Sequence, residues 1–263
     1  MLAPLLAFVL ALAALVLAHR AIHGWRIVYR RPEPAKAVFE PRVAVLVATK
    51  NGSGSVRDTI ASVVDQADVY VVSDGSPDDT ADVARDAGAY VLELEENVGK
   101  PAAIHAAVKR LRLTSFYEAL VILDDDTIVA PDFVARCMSA LRPGVAIVVG
   151  KTMTRWDHAR RWNVWLGCRA YSYWRYQATI RRGQSALNAL NCISGSNSLY
   201  RSSVLDQVLV EETGFEFEVE MIARCIALGL PIGWVPIRTI YAGAPSHIRP
   251  LRHLAEFARV TRK

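Results

Sequence analysis

Short runs of Val, Ile and Leu alternate with segments of helical spacing along the chain after residue 42. The runs are nearly continuous in apolar residues, which is typical of strands covered on both faces. The pattern predicts four strands, at Val43–Ala48, Val69–Ser73, Ala89–Leu94 and Ala119–Leu123. Three helices are predicted between them, at Ser55–Val64, Asp78–Ala87 and Pro101–Leu111. Strands that alternate with helices in this way indicate an α/β fold built on a mainly parallel sheet with helices on both faces.

An uninterrupted apolar segment precedes this pattern. Residues 1–18 contain no charged side chain, and at about 1.5 Å per residue they extend for roughly 27 Å, close to the hydrocarbon thickness of a bilayer. The basic residues that follow predict that the C-terminal side lies in the cytoplasm. A cleaved signal peptide is the alternative, but signal peptides carry their positive charge before the apolar run, whereas here it follows. We expect a single-pass membrane anchor over residues 1–30, a linker over residues 31–41 and one domain over residues 42–263.

Composition narrows the function classes. Hydrophobic residues make up 52% of the 263 residues, which excludes a disordered chain. Lys and Arg total 31 against 26 Asp and Glu, and the net charge of +5 fits an enzyme that handles phosphate or a protein at an anionic membrane. No nucleic-acid motif accompanies the charge, so we expect no nucleic-acid partner. The four cysteines lie far apart in the sequence, which excludes a disulfide-stapled scaffold.

Polar clusters follow three of the predicted strands, at Thr49–Asn51, Ser73–Ser76 and Asp124–Asp126. The carboxyl ends of parallel strands are where such sheets bind ligands. Three adjacent carboxylates repel one another, and a divalent cation relieves that repulsion. Oxygen ligands suit Mg²⁺ or Mn²⁺ bridging a nucleotide diphosphate. The alternative is a solvated acidic turn that caps the next helix.

Two further residues are candidates for nucleotide binding. Asp74 can accept hydrogen bonds from a base N–H or a ribose hydroxyl; the alternative is a turn that caps the next helix without a ligand. Lys100 follows Gly99 at the start of a predicted helix, where a cation can neutralise phosphate, although an exposed surface lysine fits equally. The Walker pattern GxxxxGK[ST] is absent from the sequence.

Four motifs together resemble the nucleotide-binding half of the family 2 glycosyltransferases, which have the GT-A fold. They are VAVLVATKNG, VVSDGSPDDT, NVGKPAAI and VILDDDT, in matching order and spacing over residues 42–141. The resemblance implies a GT-A, Rossmann-like mixed sheet and a nucleotide diphosphate sugar as donor. One departure is ATKNG (Ala48–Gly52), where the family commonly has Pro-Ala-Tyr-Asn-Glu.

The same resemblance implies roles for individual residues. It implies that Asp124 and Asp126 bind the metal and, through it, the diphosphate. Asp126 is also a catalytic candidate, and Asp125 lies between them as a candidate for contact with the nucleotide. The residues implied to contact the nucleotide base are Ala48, Thr49, Asn51 and Asp74.

The acceptor half, residues 142–263, resembles polyprenol-phosphate mannose and glucose synthases over Asn191–Leu205 and Gly214–Tyr241. In those enzymes a lipid phosphate attacks the sugar C1. An ionised phosphate needs cations rather than a protein base, and Arg238 is the first candidate, followed by His247 and Arg201. If the acceptor is a saccharide hydroxyl, a general base is required, and the candidates are Glu216 and Glu218. The alternatives for these residues are a surface arginine and a solvated acidic turn.

Two segments are rich in arginine and suit a membrane surface. Arg155–Arg182 mixes Arg with Trp and Tyr, and Ser246–Lys263 has the pattern of a basic amphipathic helix. Helices packed on the domain are the alternative for both.

The sequence thus predicts a membrane-anchored, metal-dependent, inverting glycosyltransferase with a lipid-linked acceptor, for which polyprenyl phosphate is the first candidate. A saccharide-extending synthase is the alternative enzyme, although its QxxRW motif is absent from the sequence. A non-catalytic module that binds nucleotide sugar is the alternative of another class.

Overall fold

The computed structural model describes residues 2–28, 36–154, 197–209 and 217–241, with eight separate positions between 168 and 184. The strands in this part of the chain are β1 Val43–Thr49, β2 Asp68–Asp74, β3 Tyr90–Leu94, β4 Ala119–Asp124, β5 Thr127–Val129, β6 Ile147–Thr154, β7 Asn197–Arg201 and β8 Ile232–Tyr241. The helices are α1 Leu2–Val28, α2 Val56–Ala61, α3 Thr80–Asp86, α4 Lys100–Arg110, α5 Leu113–Phe116, α6 Phe133–Ala140, α7 Ser202–Val208 and α8 Phe217–Ala227.

The strands form one mixed sheet in the order β3-β2-β1-β4-β7-β6-β8-β5. The four strands predicted from the sequence occupy one side of it and pair in parallel. The strand β7 runs antiparallel to both β4 and β6, whereas β6 and β8 are parallel. The short β5 pairs antiparallel with β8 at the opposite edge. Strands from both predicted halves, residues 42–141 and 142–263, therefore share a single hydrogen-bonded sheet.

Helices cover both faces of the sheet, as the continuous apolar strands predict. Along β1, the residues Ala44, Leu46 and Ala48 face a core formed with α4, α7 and α8. The alternate residues Val43, Val45 and Val47 face a second core formed with α2, α3 and α6. Because successive side chains of a strand point to opposite faces, a strand buried on both sides has to be apolar at every position.

The predicted elements are confirmed with small differences at their ends. The helix predicted over Ser55–Val64 is shorter, because α2 ends at Ala61 and turns follow. The strand β3 is only partly buried, since it forms an edge of the sheet and has a neighbour on one side.

The N-terminal helix α1 contains, over Leu6–Gly24, a stretch long and apolar enough to cross a bilayer, with a mean hydropathy of 1.9. Most of its surface is exposed, but Ala21 and Gly24 near its end are buried. The contacts there include the Cys168 thiol, 3.5 Å from the Leu17 carbonyl oxygen, and the Tyr171 ring, whose centroid lies 5.8 Å from that of His19. The end of α1 therefore contacts Cys168 and Tyr171.

Candidate active site

The carboxyl ends of β1, β2 and β4 lie side by side, as predicted for a parallel sheet. Ala48 is the register partner of both Val72 and Asp124, and Thr49 pairs with Ser73. Three polar loops therefore meet at one edge of the sheet, around Asn51, Asp74 and Asp124. This crevice is where ligands bind to sheets of this kind.

The acidic loop after β4 concentrates negative charge at this edge. Asp124 ends the strand and forms an ion pair with Lys100 at the start of α4. Burial, and then the neighbouring charges of Asp124 and Asp125, raise the pKa of Asp126 to about 6. Ionisation of Asp126 is thus disfavoured below about pH 6.

The middle aspartate of this loop is held by β1 and α2. The Thr49 hydroxyl donates to Asp125 Oδ2 at 2.5 Å, and the Thr59 hydroxyl donates to the Asp125 carbonyl oxygen at 2.8 Å. Burial raises the pKa of Asp125, and the hydrogen bond from Thr49 opposes that shift. The contacts fix the loop from below and engage Asp125 with β1.

The outer pair, Asp124 and Asp126, fits a divalent cation. Both residues are partly exposed, and their carboxylate oxygens are hard ligands. Burial and the repulsion between the carboxylates of this loop raise the pKa of Asp126, and a cation would relieve that repulsion. Among the described residues no group of three His, Cys, Asp or Glu side chains forms a ready-made metal site. Oxygens from a ligand and from water would therefore complete the coordination of a cation here.

The departure at Gly52 has a steric reason. A Cβ at Gly52 would collide with the Thr49 hydroxyl and with Asp125 Oδ2, so a side chain there is incompatible with their hydrogen bond. The adjacent Asn51 has a φ of 56°, in the left-handed region that asparagine tolerates better than most residues. Its N–H donates to the Ser76 hydroxyl at 3.1 Å, which ties the first loop to the second.

Asp74 is buried and holds the loop that connects β3 to α4. Its carboxylate accepts hydrogen bonds from the N–H groups of Val98 at 2.8 Å and Gly99 at 2.9 Å. In the orientation that satisfies both ends of its amide, Asn97 donates to Asp74 Oδ2 at 2.8 Å and accepts from Lys50 Nζ at 3.2 Å. Asp74 therefore anchors the loop that begins α4, in addition to any contact with a nucleotide.

The close contact between these loops also requires Gly75. This residue has a φ of +60°, and a Cβ there would lie 2.5 Å from the backbone nitrogen of Asn97. Only glycine accommodates both the left-handed conformation and the approach of the neighbouring backbone.

Not every predicted residue lies at this edge. Arg201 pairs with Ala119 at the opposite end of β4, where its guanidinium donates to the Leu141 carbonyl at 3.2 Å and lies 3.6 Å from Glu118. Its place is structural and far from the acidic loop. Arg238 lies on β8 in register with Lys151 of β6, and the description extends to its backbone only.

The other acceptor candidates cannot be located at this edge. Glu218 lies in the first turn of α8, of which only the backbone is described there. Glu216, His247 and the segment Ser246–Lys263 lie outside the described residues, as does most of Arg155–Arg182.

Several residues that position the site escape sequence reasoning. Thr59 belongs to the buried face of α2 yet supports the acidic loop, and Thr80 accepts a hydrogen bond from the Gly52 N–H at 2.9 Å. The signal that would have identified Thr59 is a polar residue on the otherwise apolar face of α2. Asn97 and Lys50 give no such signal, because their partners come from separate loops.

A mixed sheet whose strands end in an acidic loop, beside a lysine at a helix N-terminus, defines the nucleotide-binding half of a GT-A transferase. Residues 44–209 match the profile of the family described as "Glycosyl transferase family 2", which is more than half of the chain. The chain belongs to this family.

Relatives with named activities fall into two groups. An undecaprenyl-phosphate mannosyltransferase of Micrococcus luteus is 30% identical over 212 residues, covering 74% of this chain and 82% of the relative. An N-acetylglucosaminyltransferase of Azorhizobium caulinodans is 27% identical, covering 84% of this chain and 60% of the relative. A poly-beta-1,6-N-acetyl-D-glucosamine synthase of Staphylococcus epidermidis is 27% identical, covering 71% and 44%. This chain thus spans less than two thirds of the length of the last two.

Solved structures share the fold at lower identity. A mannosyltransferase from Pyrobaculum calidifontis, in complex with GDP-Man and Mn²⁺, has a TM-score of 0.62 and 20% identity, covering 98% of this chain and 76% of that one. Glucosyl-3-phosphoglycerate synthase from Mycobacterium tuberculosis, with Mn²⁺, UDP and glucosyl-3-phosphoglycerate, has a TM-score of 0.55 and 21% identity, covering 88% and 82%. Both confirm the predicted GT-A architecture.

Proposed function

We propose that the protein is a membrane-anchored, inverting glycosyltransferase that transfers a sugar from a nucleotide diphosphate sugar to polyprenyl phosphate. The observation that carries the donor half of this proposal is the acidic loop: Asp124 and Asp126 lie at the sheet edge where three loops meet, beside Lys100. Enzymes of this fold with Mn²⁺ and a nucleotide or nucleotide sugar bound are among the structural neighbours.

The donor would bind across the three loops. Asp124 and Asp126 would hold Mg²⁺ or Mn²⁺, which stabilises negative charge on the departing diphosphate. Lys100 lies at the N-terminus of α4 and supplies a second positive charge for the phosphates. The first and second loops, with Ala48, Thr49, Asn51 and Asp74, would form the pocket for the base and ribose.

The acceptor half would present cations to a lipid phosphate. A phosphate oxygen forms the new bond to the sugar C1 as the bond from C1 to the diphosphate breaks on the opposite face, which inverts the configuration. The acceptor phosphate is already ionised, so no protein base takes a proton. Arg238 and Lys151 are register partners on β8 and β6, which gives this half two adjacent basic positions. The match to the Micrococcus luteus mannosyltransferase, which takes in 82% of that relative, supports this acceptor.

A saccharide acceptor is the second candidate. The relatives that carry N-acetylglucosaminyltransferase and poly-beta-1,6-N-acetyl-D-glucosamine synthase names favour it, although the match takes in 60% and 44% of their lengths. A hydroxyl acceptor has to lose a proton, and Glu216 or Glu218 would be the general base.

Membrane attachment would come from α1. Its span Leu6–Gly24 is 19 residues long, and the basic residues after it favour a catalytic domain on the cytoplasmic side. This arrangement would place the domain beside a membrane-resident acceptor.

Release of nucleoside diphosphate by the detergent-solubilised full-length protein tests the proposal. UDP- and GDP-sugars would be supplied with Mg²⁺ or Mn²⁺, with and without polyprenyl phosphate. We expect release that requires both the metal and the lipid, and that is lost in Asp126→Asn but retained in Asp206→Asn, a matched change at an exposed position of α7. Release with a saccharide but not with the lipid would establish the second candidate, and no release with any donor would contradict the proposed activity.

A further inference from the structure

A groove of about 1140 Å³ lies where the end of α1 meets the segment around residues 171–179. On the helix side its wall includes Leu15, Val16, Ala18 and Ile22, of which Leu15, Ala18 and Ile22 recur at the spacing of one helix face. Tyr171 closes the other side, with its ring centroid 5.8 Å from that of His19. Pockets for drug-sized ligands measure about 300 to 1,000 Å³, so this groove has room for a long chain.

The groove is apolar along one part and basic at the other. Arg20 and Arg175 both line it and are both exposed, and the Arg20 guanidinium carbon lies 6.0 Å from the Tyr171 ring centroid. Among the described residues that line the groove, none is acidic. Arg20 lies about 7.5 Å along the helix from Leu15 and about 6 Å from Val16, at about 1.5 Å per residue. Its charge therefore lies at a different depth from these two apolar residues, whereas Ile22 lies beyond Arg20.

We propose that this groove binds an anionic phospholipid of the bilayer, with its phosphate between Arg20 and Arg175 and an acyl chain along Leu15 and Val16. The charge of the groove selects the headgroup, because two arginines face no carboxylate among the lining residues. Arginine pairs with phosphate through its planar fork of donors. The proposal rests on the membrane anchoring proposed above.

The bound lipid is a resident lipid rather than the sugar acceptor. No residue of the three donor loops lines the groove, whereas an acceptor has to reach the sugar beside Asp124 and Asp126. The lipid instead bridges the anchor and the catalytic domain, since Arg20 belongs to α1 and Arg175 to the segment packed against it. It would therefore fix how the domain is held at the membrane.

The experiment uses the full-length protein, reconstituted into nanodiscs that contain phosphatidylcholine and phosphatidylglycerol in equal amounts and then released from them. Native mass spectrometry counts the lipids that remain bound. Each arginine near an anionic lipid contributes about a fivefold factor, so we expect phosphatidylglycerol to be retained over phosphatidylcholine by roughly twenty-five-fold. The variant Arg20→Gln/Arg175→Gln should lose this preference. The control Arg110→Gln/Arg142→Gln removes the same charge from exposed positions away from the groove and should keep it.

Other outcomes would overturn the inference or its basis. Equal retention of the two lipids, or an unchanged preference in the groove variant, contradicts an anionic-lipid site. Displacement of bound phosphatidylglycerol by stoichiometric polyprenyl phosphate assigns the groove to the acceptor instead. Flotation with phosphatidylcholine vesicles is measured alongside: a protein that does not float contradicts the proposed anchoring, whereas one that floats without lipid preference contradicts the groove alone.

Discussion

Lys100 and Asp124 form an ion pair that joins the N-terminus of α4 to the end of β4. The lysine ammonium therefore lies against one of the two carboxylates that fit a divalent cation. A metal ion that reaches Asp124 has to compete with this ammonium, and its arrival frees Lys100 for the diphosphate. Metal and nucleotide are thus expected to bind more strongly together than either does alone.

The first prediction concerns Lys100→Ala. Without the competing ammonium, Mn²⁺ alone should bind about fivefold more tightly, since a partly exposed ion pair contributes about 1 kcal/mol. Binding of a nucleotide diphosphate sugar with saturating Mn²⁺ should weaken, because its phosphates lose a positive partner. Titration of Mn²⁺ followed by electron paramagnetic resonance measures the first effect and calorimetry the second. Lys109→Ala, an exposed lysine of the same helix, should change neither. Weaker Mn²⁺ binding in Lys100→Ala would show that the lysine supports the metal site instead.

The second prediction concerns Asp126 and pH. Its pKa in the folded protein is about 6, against an ordinary value of 3.8, so the folded state holds this proton more tightly than the unfolded state. The metal-free protein should therefore lose stability as pH rises from about 4 to about 6, by about 1 to 2 kcal/mol after solvent screening. Mn²⁺ competes with the proton, so its stabilising effect should be full above about pH 7 and fade below about pH 6.

Thermal unfolding across this pH range measures both effects. Asp126→Asn removes a repelled charge, so the metal-free variant should unfold at an equal or higher temperature than the parent near neutral pH, with no stabilisation by Mn²⁺. Asp206→Asn serves as the matched control and should follow the parent. A large loss of stability in metal-free Asp126→Asn would mean that the carboxylate is needed for folding rather than for the cation.

The third prediction separates two roles for Asp74. Asp74→Ala removes the acceptor for the Val98 and Gly99 N–H groups and should lower the free energy of unfolding by about 2 kcal/mol. Because that loop begins α4, the Lys100–Asp124 ion pair should also loosen. Asp79→Ala, an exposed aspartate of the same loop as Asp74, should have little effect. Chemical denaturation measures the stabilities. Unchanged stability combined with weaker nucleotide binding would assign Asp74 to the ligand alone.

The fourth prediction uses two glycines of one loop. Gly52→Ala places a methyl group against the Thr49 hydroxyl and Asp125 Oδ2, and should destabilise the protein by about 1 to 3 kcal/mol. Nothing lies within 4 Å of a Cβ at Gly54, so Gly54→Ala should be neutral or stabilising by up to about 1 kcal/mol. Denaturation curves of the two variants make the comparison. Equal effects would indicate that the first loop moves freely and that the contact between Thr49 and Asp125 is unimportant.

Periodicity and turn chemistry predicted the nucleotide-binding side of the fold well. The strands there are buried on both faces, so every position of β1 had to be apolar, and such runs are visible without any partner. The position of the acidic loop was equally predictable, since it directly follows the buried strand β4. The antiparallel β7 was not predicted as a strand, because its five residues Asn197–Arg201 include polar and basic side chains.

Contacts between loops escaped prediction for a physical reason. The partners of Asp74 are backbone N–H groups 24 and 25 residues further along the chain, and a backbone donor has no letter in the sequence. Arg201 shows the opposite error. A basic residue in a family-like segment suggested an acceptor contact, but β7 runs antiparallel to β4 and therefore takes Arg201 to the other end of the sheet.

The continuous sheet also limits how the enzyme can move during turnover. β4, which ends in the acidic loop, is hydrogen-bonded to β1 on one side and to β7 on the other. An opening and closing of two rigid lobes on either side of β4 would have to break one of these ladders, so we expect the described strands to move as one body. Any rearrangement on ligand binding should then arise in the loops at the ends of the described strands, while the sheet stays fixed.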